Sequence, residues 1–430
     1  MDSVDTIFAL SSGAPPAAIA VVRISGTQAF EAVRALAGKV PAARKASLRT
    51  LRDADGSTLD EALVLTFPGP ATATGEDLAE LHLHGGRAVV RGVEAALAAM
   101  PGLRKAEPGE FTRRAFQHGR IDLNEAEGLA DLLSAETEWQ RRSALAMAGG
   151  GFSRQIEDWR MAILVLSAQV EAVLDFSDEG DVSETENTNI SKRCLELHDV
   201  MTRQLSAPSA EKLRDGLRVV LAGPPNSGKS TLLNALVSRE AAIVSDIAGT
   251  TRDLIEVPVS FSGMPFLLTD TAGLRDDSQD AIESIGIDRA NAAIANADML
   301  LWLGTEGEGP EHSLTLEIEA KVDDPSHCIK SSNSLRLSAR TGEGVVALID
   351  WLVETGRTML PPPDSFAINQ RQQGLLKQCA LSLSAAAKST DLLVSAEELR
   401  QARLALDALT GRASTEDMLD ALFGRFCIGK

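Results

Sequence analysis

The 430-residue sequence contains no tyrosine, and aromatic residues make up only 4% of it. A core with so few rings has to be filled by Leu, Ala, Val and Ile, a composition that favours helices. Cysteine is nearly as scarce. Cys194, Cys328, Cys379 and Cys427 stand far apart with no Cys-x-x-Cys pair, so neither a zinc framework nor a disulfide scaffold is signalled, and reduced thiols in a cytoplasm are expected. The sequence opens with Asp2 and Asp5 rather than a basic n-region, so no leader is expected, and the apolar run Met161 to Leu166 is far too short to span a membrane. A soluble, cytoplasmic protein without a membrane partner is the expectation. Positive charge is also in deficit, with 42 Lys and Arg against 61 Asp and Glu and a net charge of -19. That field repels a polyanion such as a nucleic acid, so any contact with one has to use a local basic patch or a basic partner protein. Arg113, Arg114 and Arg120, with Arg141 and Arg142, are the candidates.

What is present reads as globular. Hydrophobic residues are 44% and charged residues 24% of the chain, close to ordinary soluble domains. The length exceeds one hydrophobic core and suggests roughly two to four domains. Residues 1–119 mix strand-like runs, Ala18 to Ile24 and Leu63 to Phe67, with Gly- and Pro-rich turns, and predict a small α+β domain. Residues 120–212 carry apolar residues at helical spacing, such as Leu123, Ala126, Leu129 and Leu133. Residues 213–356 alternate strands and helices as in a mostly parallel α/β sheet. The predicted strands there are Arg218 to Ala222, Glu256 to Phe261, Phe266 to Asp270, Met299 to Leu303 and Leu335 to Ser338. After Pro361-Pro362-Pro363 helical spacing returns over 357–430, with Leu392, Leu399 and Leu406 spaced by sevens. The fold class expected is therefore multidomain α/β and α, with an α/β domain inserted into a helical domain whose two halves complete one core.

The strongest motif is Gly223-Pro224-Pro225-Asn226-Ser227-Gly228-Lys229-Ser230, followed by Thr231, after a predicted strand and before a helical run. G-x-x-x-x-G-K-[ST] in that context is a phosphate-binding loop. Its amides wrap a β-phosphate, Lys229 neutralises the β/γ oxygens, and Ser230 ligates Mg2+. Downstream, Asp270-Thr271-Ala272-Gly273 ends a predicted strand, with Asp270 placed for the Mg2+ water shell and Gly273 for the γ-phosphate. Between them Gly249-Thr250-Thr251-Arg252 supplies a threonine, Thr251, that can reach Mg2+ when the γ-phosphate is present. The three motifs in this order predict a Ras-like nucleotide switch that hydrolyses GTP. Leu274 stands where a water-orienting glutamine is usual, so transition-state charge has to be stabilised in another way.

Absent, too, is a clear N-K-x-D, whose aspartate follows the fifth strand in this class and accepts bonds from guanine N1-H and N2-H2. The best match, Ile329-Lys330-Ser331-Ser332, keeps only the lysine, whereas the following Ser338-Ala339-Arg340-Thr341-Gly342-Glu343-Gly344 is intact. Losing a charged acceptor removes roughly 1.5 to 3 kcal/mol per hydrogen bond, which predicts weakened discrimination between GTP and ATP.

Ser245-Asp246-Ile247-Ala248-Gly249-Thr250-Thr251-Arg252-Asp253, with the Asp270-Thr271-Ala272-Gly273-Leu274-Arg275 run, resembles the TrmE-Era group of Ras-like GTPases. Val22-Arg23-Ile24-Ser25-Gly26, Thr74-Gly75-Glu76-Asp77, Leu83-His84-Gly85-Gly86, Pro108-Gly109-Glu110-Phe111-Thr112 and the terminal Phe426-Cys427-Ile428-Gly429-Lys430 narrow the likeness to the MnmE (TrmE) family of tRNA-modification proteins. The resemblance implies a K+ ion where an arginine finger would sit, with Asn226 and Thr250 as side-chain ligands and Ser245 and Ile247 as carbonyl ligands. It implies that Glu283 positions the attacking water, completing a catalytic set with Lys229 and Thr251. It also implies homodimerisation, a 5-formyltetrahydrofolate site at Arg23, Glu80, Arg120 and Lys430, and work with the flavoprotein MnmG in a heterotetramer that modifies the wobble uridine of tRNA. Read without the family, Glu80, His82 and His84 simply alternate on one strand face, and Cys427 is a tail thiol, a nucleophile or a metal ligand. Two other functions stay open: a ribosome-assembly GTPase, and a structural partner with a degraded nucleotide site.

Overall fold

The structure is a computed structural model that describes residues 5–175, 184–239, 256–271, 281–325, 327–330, 334–413, 416–424 and 426–430. It divides into two compact units, Met1–Ala130 with Ser153–Glu157 and Leu406–Lys430, and Asp131–Phe152 with Asp158–Ala405. No described helix is long and apolar enough to cross a membrane.

In the first unit the chain runs β1 (Thr6–Leu10), β2 (Ile19–Ser25), α1 (Ala29–Ala37), β3 (Ser47–Arg52), β4 (Thr58–Phe67), β5 (Leu78–His84), α2 (Arg87–Ala98), β6 (Leu103–Lys105) and α3 (Glu110–Gln117). The six strands form one sheet in the order β3-β4-β5-β2-β1-β6, antiparallel except for the β1–β6 pair. Alternation sets its faces. Ala20, Val22 and Ile24 of β2 and Leu81 and Leu83 of β5 pack with Val33 and Leu36 of α1 and Val93 and Leu97 of α2. The end of the chain belongs to this unit, where Ile428 bridges to Pro108. A Cβ on Gly429 would lie 2.0 Å from the Leu10 carbonyl oxygen at φ +95°, so only glycine lets the tail lie against β1.

The next helices are α4 (Leu123–Ser134), α5 (Glu138–Ala148), α6 (Gly151–Asp175), α7 (Glu184–Leu205) and α8 (Ala210–Asp215). An α/β domain follows: β7 (Leu217–Ala222), α9 (Lys229–Arg239), β8 (Glu256–Phe261), β9 (Met264–Asp270), α10 (Ala281–Ala295), β10 (Met299–Trp302), β11 (Thr315–Glu319), β12 (Leu335–Arg336) and α11 (Val345–Met359). Its sheet order is β12-β11-β10-β7-β9-β8, parallel throughout except for the antiparallel β8–β9 pair. Val219 and Leu221 of β7 face one core layer with Leu232 and Leu236 of α9, and Val220 faces the other beside Ile294 of α10. Strands buried on both faces explain the continuous apolar runs seen in the sequence.

Helical chain returns with α12 (Gln370–Lys388), α13 (Leu392–Leu409) and α14 (Glu416–Phe423). Asn369 and Gln372 form a capping box that starts α12. The helical segments before and after the α/β domain meet, as expected of an inserted domain. Gln204 of α7 donates to the Phe366 carbonyl at 3.1 Å, Ala210 N-H donates to the Ile368 carbonyl at 3.1 Å, and the Phe152 and Phe366 rings lie 5.8 Å apart. Cys194 of α7 and Cys379 of α12 are buried, and burial pushes their thiols up to about 11 and about 12; at neutral pH they are inert protonated side chains.

Two strand expectations need correction. β11, absent from the predicted set, pairs with β10 and β12, and the last strand is only Leu335–Arg336 rather than Leu335 to Ser338. Thr315-Leu316-Glu317-Ile318-Glu319 looks like acidic loop because two of its five residues are glutamates. Leu316 and Ile318 nevertheless enter the core, and Glu319 is accommodated by bonds from His327 Nε2 at 3.0 Å and Arg336 Nε at 3.1 Å. Burial pushes the Glu319 carboxyl up, but His327, the Lys330 N-H and Arg336 outweigh it and leave the group below its ordinary range.

Candidate nucleotide-binding site

β7 delivers the chain into a loop whose backbone is left-handed or strained at three points: φ is +152° at Gly223, +61° at Asn226 and +103° at Gly228. At Gly223 a Cβ would meet Ser227 Oγ at 3.0 Å and the Leu303 carbonyl carbon at 3.1 Å, so the close turn depends on glycine. The loop opens α9 at Lys229. That residue is 5% exposed, and its Nζ donates to the carbonyls of Gly223 and Pro224 at 2.9 Å each. The ammonium is thereby fixed at the centre of the loop and the helix N-terminus, the place where a phosphate is stabilised by amides and dipole together. Ser230 Oγ donates to Asp270 Oδ2 at 2.5 Å, and Thr271 Oγ1 donates to the Leu221 carbonyl at 2.9 Å. Lys229, Ser230, Asp270 and Thr271, read from two separated motifs, thus converge at the C-terminal ends of β7 and β9, where ligands bind in open α/β sheets.

Ser245, Ile247, Thr250, Thr251, Ala272 and Gly273 lie outside the described residues. Glu283 falls on α10, with its side chain outside the described set.

The fifth strand of this sheet is β11, and it runs directly into Ala320-Lys321-Val322-Asp323. Asp323 therefore stands where the N-K-x-D aspartate is expected, with Ala320 in place of the asparagine, and this segment replaces Ile329 to Ser332 as the better match; Ser331 and Ser332 lie outside the described residues. Lys330 Nζ is buried and donates to the Trp302 carbonyl and to Glu317 Oε2. In the sequence this segment is hidden because Ala320 stands in place of the asparagine and the glutamates of β11 disguise the strand before it. Gly228, Thr231, Ala320, Lys321, Asp323, Ala339 and Arg340 line one cavity of about 470 Å³, large enough for a nucleoside. Lys321 Nζ donates to the Asn226 carbonyl at 2.5 Å, tying the cavity wall to the phosphate loop. Asp323 accepts from Ser338 Oγ at 2.5 Å and from Arg340 Nε at 2.8 Å. The serine bond, followed by Arg340, holds its carboxyl below the ordinary range. An ionised, oriented acceptor is suited to a base edge that carries N-H donors.

The other predicted residues separate. Arg23 donates to Glu80 from Nε at 3.2 Å and Nη2 at 2.9 Å, and the Arg23 guanidinium lies 5.8 Å over the Phe111 ring. The Lys430 carbonyl accepts from the Phe111 N-H at 3.2 Å, so Arg23, Glu80 and the chain terminus share one neighbourhood. Arg120 instead donates to the Thr72 carbonyl at 3.1 Å. Cys427 is exposed. Several arginines considered for RNA contact are committed to carboxylates: Arg113 to Glu416 and Asp420, Arg141 to Glu138 and Arg142 to Asp364. Arg114, only 2% exposed, bonds Asp5, Glu76 and Glu110, which removes it as an RNA contact.

Comparison with known proteins agrees with both halves of the chain. The GTP-binding protein TrmE N-terminus matches residues 6–120, and the MnmE helical domain matches residues 123–427. The tRNA modification GTPase MnmE of Erythrobacter litoralis (strain HTCC2594) is 60% identical over 429 residues, covering 99% of this chain and 100% of that protein. That of Novosphingobium aromaticivorans is 57% identical, with 99% and 100% covered, and that of Zymomonas mobilis subsp. mobilis is 51% identical, with 99% and 100% covered. With a phosphate loop, a base cavity and full-length likeness in hand, the chain belongs to the MnmE family of tRNA modification GTPases.

Proposed function

We propose that this chain hydrolyses GTP at the loop Gly223–Ser230 with Mg2+ and K+ and, with MnmG, uses the cycle to modify the wobble uridine of tRNA at C5 with an aminomethyl-type group. The observation that carries the hydrolytic part is the 2.5 Å contact of Ser230 Oγ with Asp270 Oδ2 beside Lys229. A hydroxyl and a carboxylate at a phosphate loop form a hard oxygen set that fits Mg2+, with Thr251 as the further ligand. Bound Mg2+ would supply positive charge at the β/γ oxygens. Lys229 would exchange its bonds to the Gly223 and Pro224 carbonyls for phosphate oxygens, and the amides of Ser227, Gly228 and Thr231 would line the same anion. Thr271, Ala272 and Gly273 continue the phosphate side, and Ser338, Ala339 and Arg340 flank the base with Asp323.

For water positioning we assign Glu283, and for K+ the side chains of Asn226 and Thr250 with the carbonyls of Ser245 and Ile247. The left-handed Asn226, φ +61°, supports a special role for that position, since asparagine tolerates this conformation better than other residues. Paired G domains in a homodimer would close around this ion. The N-terminal Arg23–Glu80 pair and Lys430 support a 5-formyltetrahydrofolate site, with Arg120 its outer member. The domain limits that accompany this reading are 1–119, 120–212, 213–356 and 357–430.

The test is GTP turnover by the full chain in K+ against Na+, with Lys229→Ala alongside. Turnover that K+ stimulates over Na+ and that the variant abolishes is the expected result. Equal turnover in both salts would remove K+ from the mechanism, and no turnover in either would favour the structural-partner alternative.

A further inference from the structure

Asp323 is the carboxylate of the base cavity that is both held by Ser338 and placed after the fifth strand, and as an ionised group it can only accept hydrogen bonds. It can therefore engage only the edge of a purine that carries donors, which in guanine is N1-H and N2-H2. The opposite edge of guanine, N7 and O6, carries acceptors and asks for donors. Among the described lining residues the side-chain donors are Thr231, Lys321 and Arg340. Lys321 directs its ammonium to the Asn226 carbonyl, on the phosphate-loop side, and Arg340 directs its Nε to Asp323 itself, on the side of the base-reading carboxylate, while Thr231 lies in the first turn of α9, on the phosphate side. At the first position of the motif, where an asparagine would present an amide N-H2, Ala320 presents a methyl group.

We infer that the side chains of this chain read guanine from one edge: Asp323 takes N1-H and N2-H2, and N7 meets the Ala320 methyl, with no side-chain donor among the described lining residues to distinguish nitrogen from carbon there. The inference rests on the assignment of Asp323 as base reader and deepens it. It also revises what the altered motif means. The alanine leaves discrimination between GTP and ATP in place, because ATP offers Asp323 neither an N1-H nor a 2-amino group, and it removes only sensitivity to position 7. The chain would accept guanine nucleotides altered at position 7.

The experiment is displacement of a fluorescent GDP analogue from the full chain by GTP, 7-deaza-GTP and ATP, in wild type, Ala320→Asn and Asp323→Ala. Wild type is expected to bind GTP and 7-deaza-GTP within threefold of each other while rejecting ATP. Ala320→Asn is expected to regain a preference for GTP over 7-deaza-GTP of roughly two- to tenfold, the range of one neutral hydrogen bond. A wild-type preference for GTP over 7-deaza-GTP larger than threefold would overturn the inference, since some donor would then be reading N7. If Asp323→Ala still preferred GTP over ATP, the base-reader assignment itself would fall. That failure is distinct, because it appears in the ATP arm and does not depend on position 7.

Discussion

At the scale of single residues, the site is a set of committed bonds. Lys229 is held by two carbonyls, Ser230 by Asp270, and Asp323 by Ser338 and Arg340. Ser338→Ala is expected to weaken GTP binding on the order of tenfold by freeing Asp323 to turn and raising its pKa toward the unperturbed value, with little change in Mg2+ requirement; a titration of GDP against the variant checks it, and unchanged affinity would separate Ser338 from base reading. The phosphate side was legible in the sequence because its glycines and lysine carry fixed geometric roles at fixed spacing. Asp323 was not legible. Its motif begins with Ala320, and the glutamates of β11 concealed the strand that would have located it. Only Leu316 and Ile318 alternating between acidic residues could have revealed that strand.

At the scale of elements, α3 holds the N-terminal unit together through charge. Arg114 is 2% exposed and draws Asp5 before β1, Glu76 before β5 and Glu110 of its own helix onto one guanidinium. Removing one partner of such a group strands the others, so Arg114→Ala should destabilise the fold by roughly 3 to 5 kcal/mol, read by denaturant unfolding. A loss under about 1 kcal/mol would mean that the carboxylates find water instead. The pH dependence follows from the same bonds. Burial pushes Asp5 and Glu110 up, but Arg104 and Arg114 outweigh it and both carboxyls lie below their unperturbed values of 3.8 and 4.5. Depressed carboxylate values confer stability that is complete above those unperturbed values and is lost as pH falls through the folded ones. Thermal melts should therefore hold level from pH 7 to about 5 and fall steeply below about pH 4, and Arg114→Ala should flatten that fall. Arg113 and Arg114 read in sequence as part of a basic patch, because a one-dimensional charge run does not disclose the carboxylates that distant elements bring to it.

At the scale of the whole molecule, the order helix, α/β domain, helix was legible because apolar stripes on both sides of the insertion had no partner within their own segments. α7 and α12 supply that partner to each other, with Cys194, Cys379 and Leu383 all buried. Leu383→Ala is expected to cost roughly 2 to 5 kcal/mol and to loosen the helical domain while leaving the phosphate loop's residues intact, so chemical denaturation should shift with GDP affinity retained at low denaturant. The α/β domain is entered at Leu217 and left after Met359, between the two helical segments.

Every proposed step requires the loop at the end of β7 to hold a guanine nucleotide with magnesium. Equilibrium titration of a fluorescent GTP analogue into the full chain, with and without Mg2+ and with excess ATP as competitor, tests it most directly. Saturable binding that magnesium strengthens, that Lys229→Ala abolishes and that ATP fails to displace is predicted. Absence of binding to any nucleoside triphosphate in the presence of magnesium would contradict it.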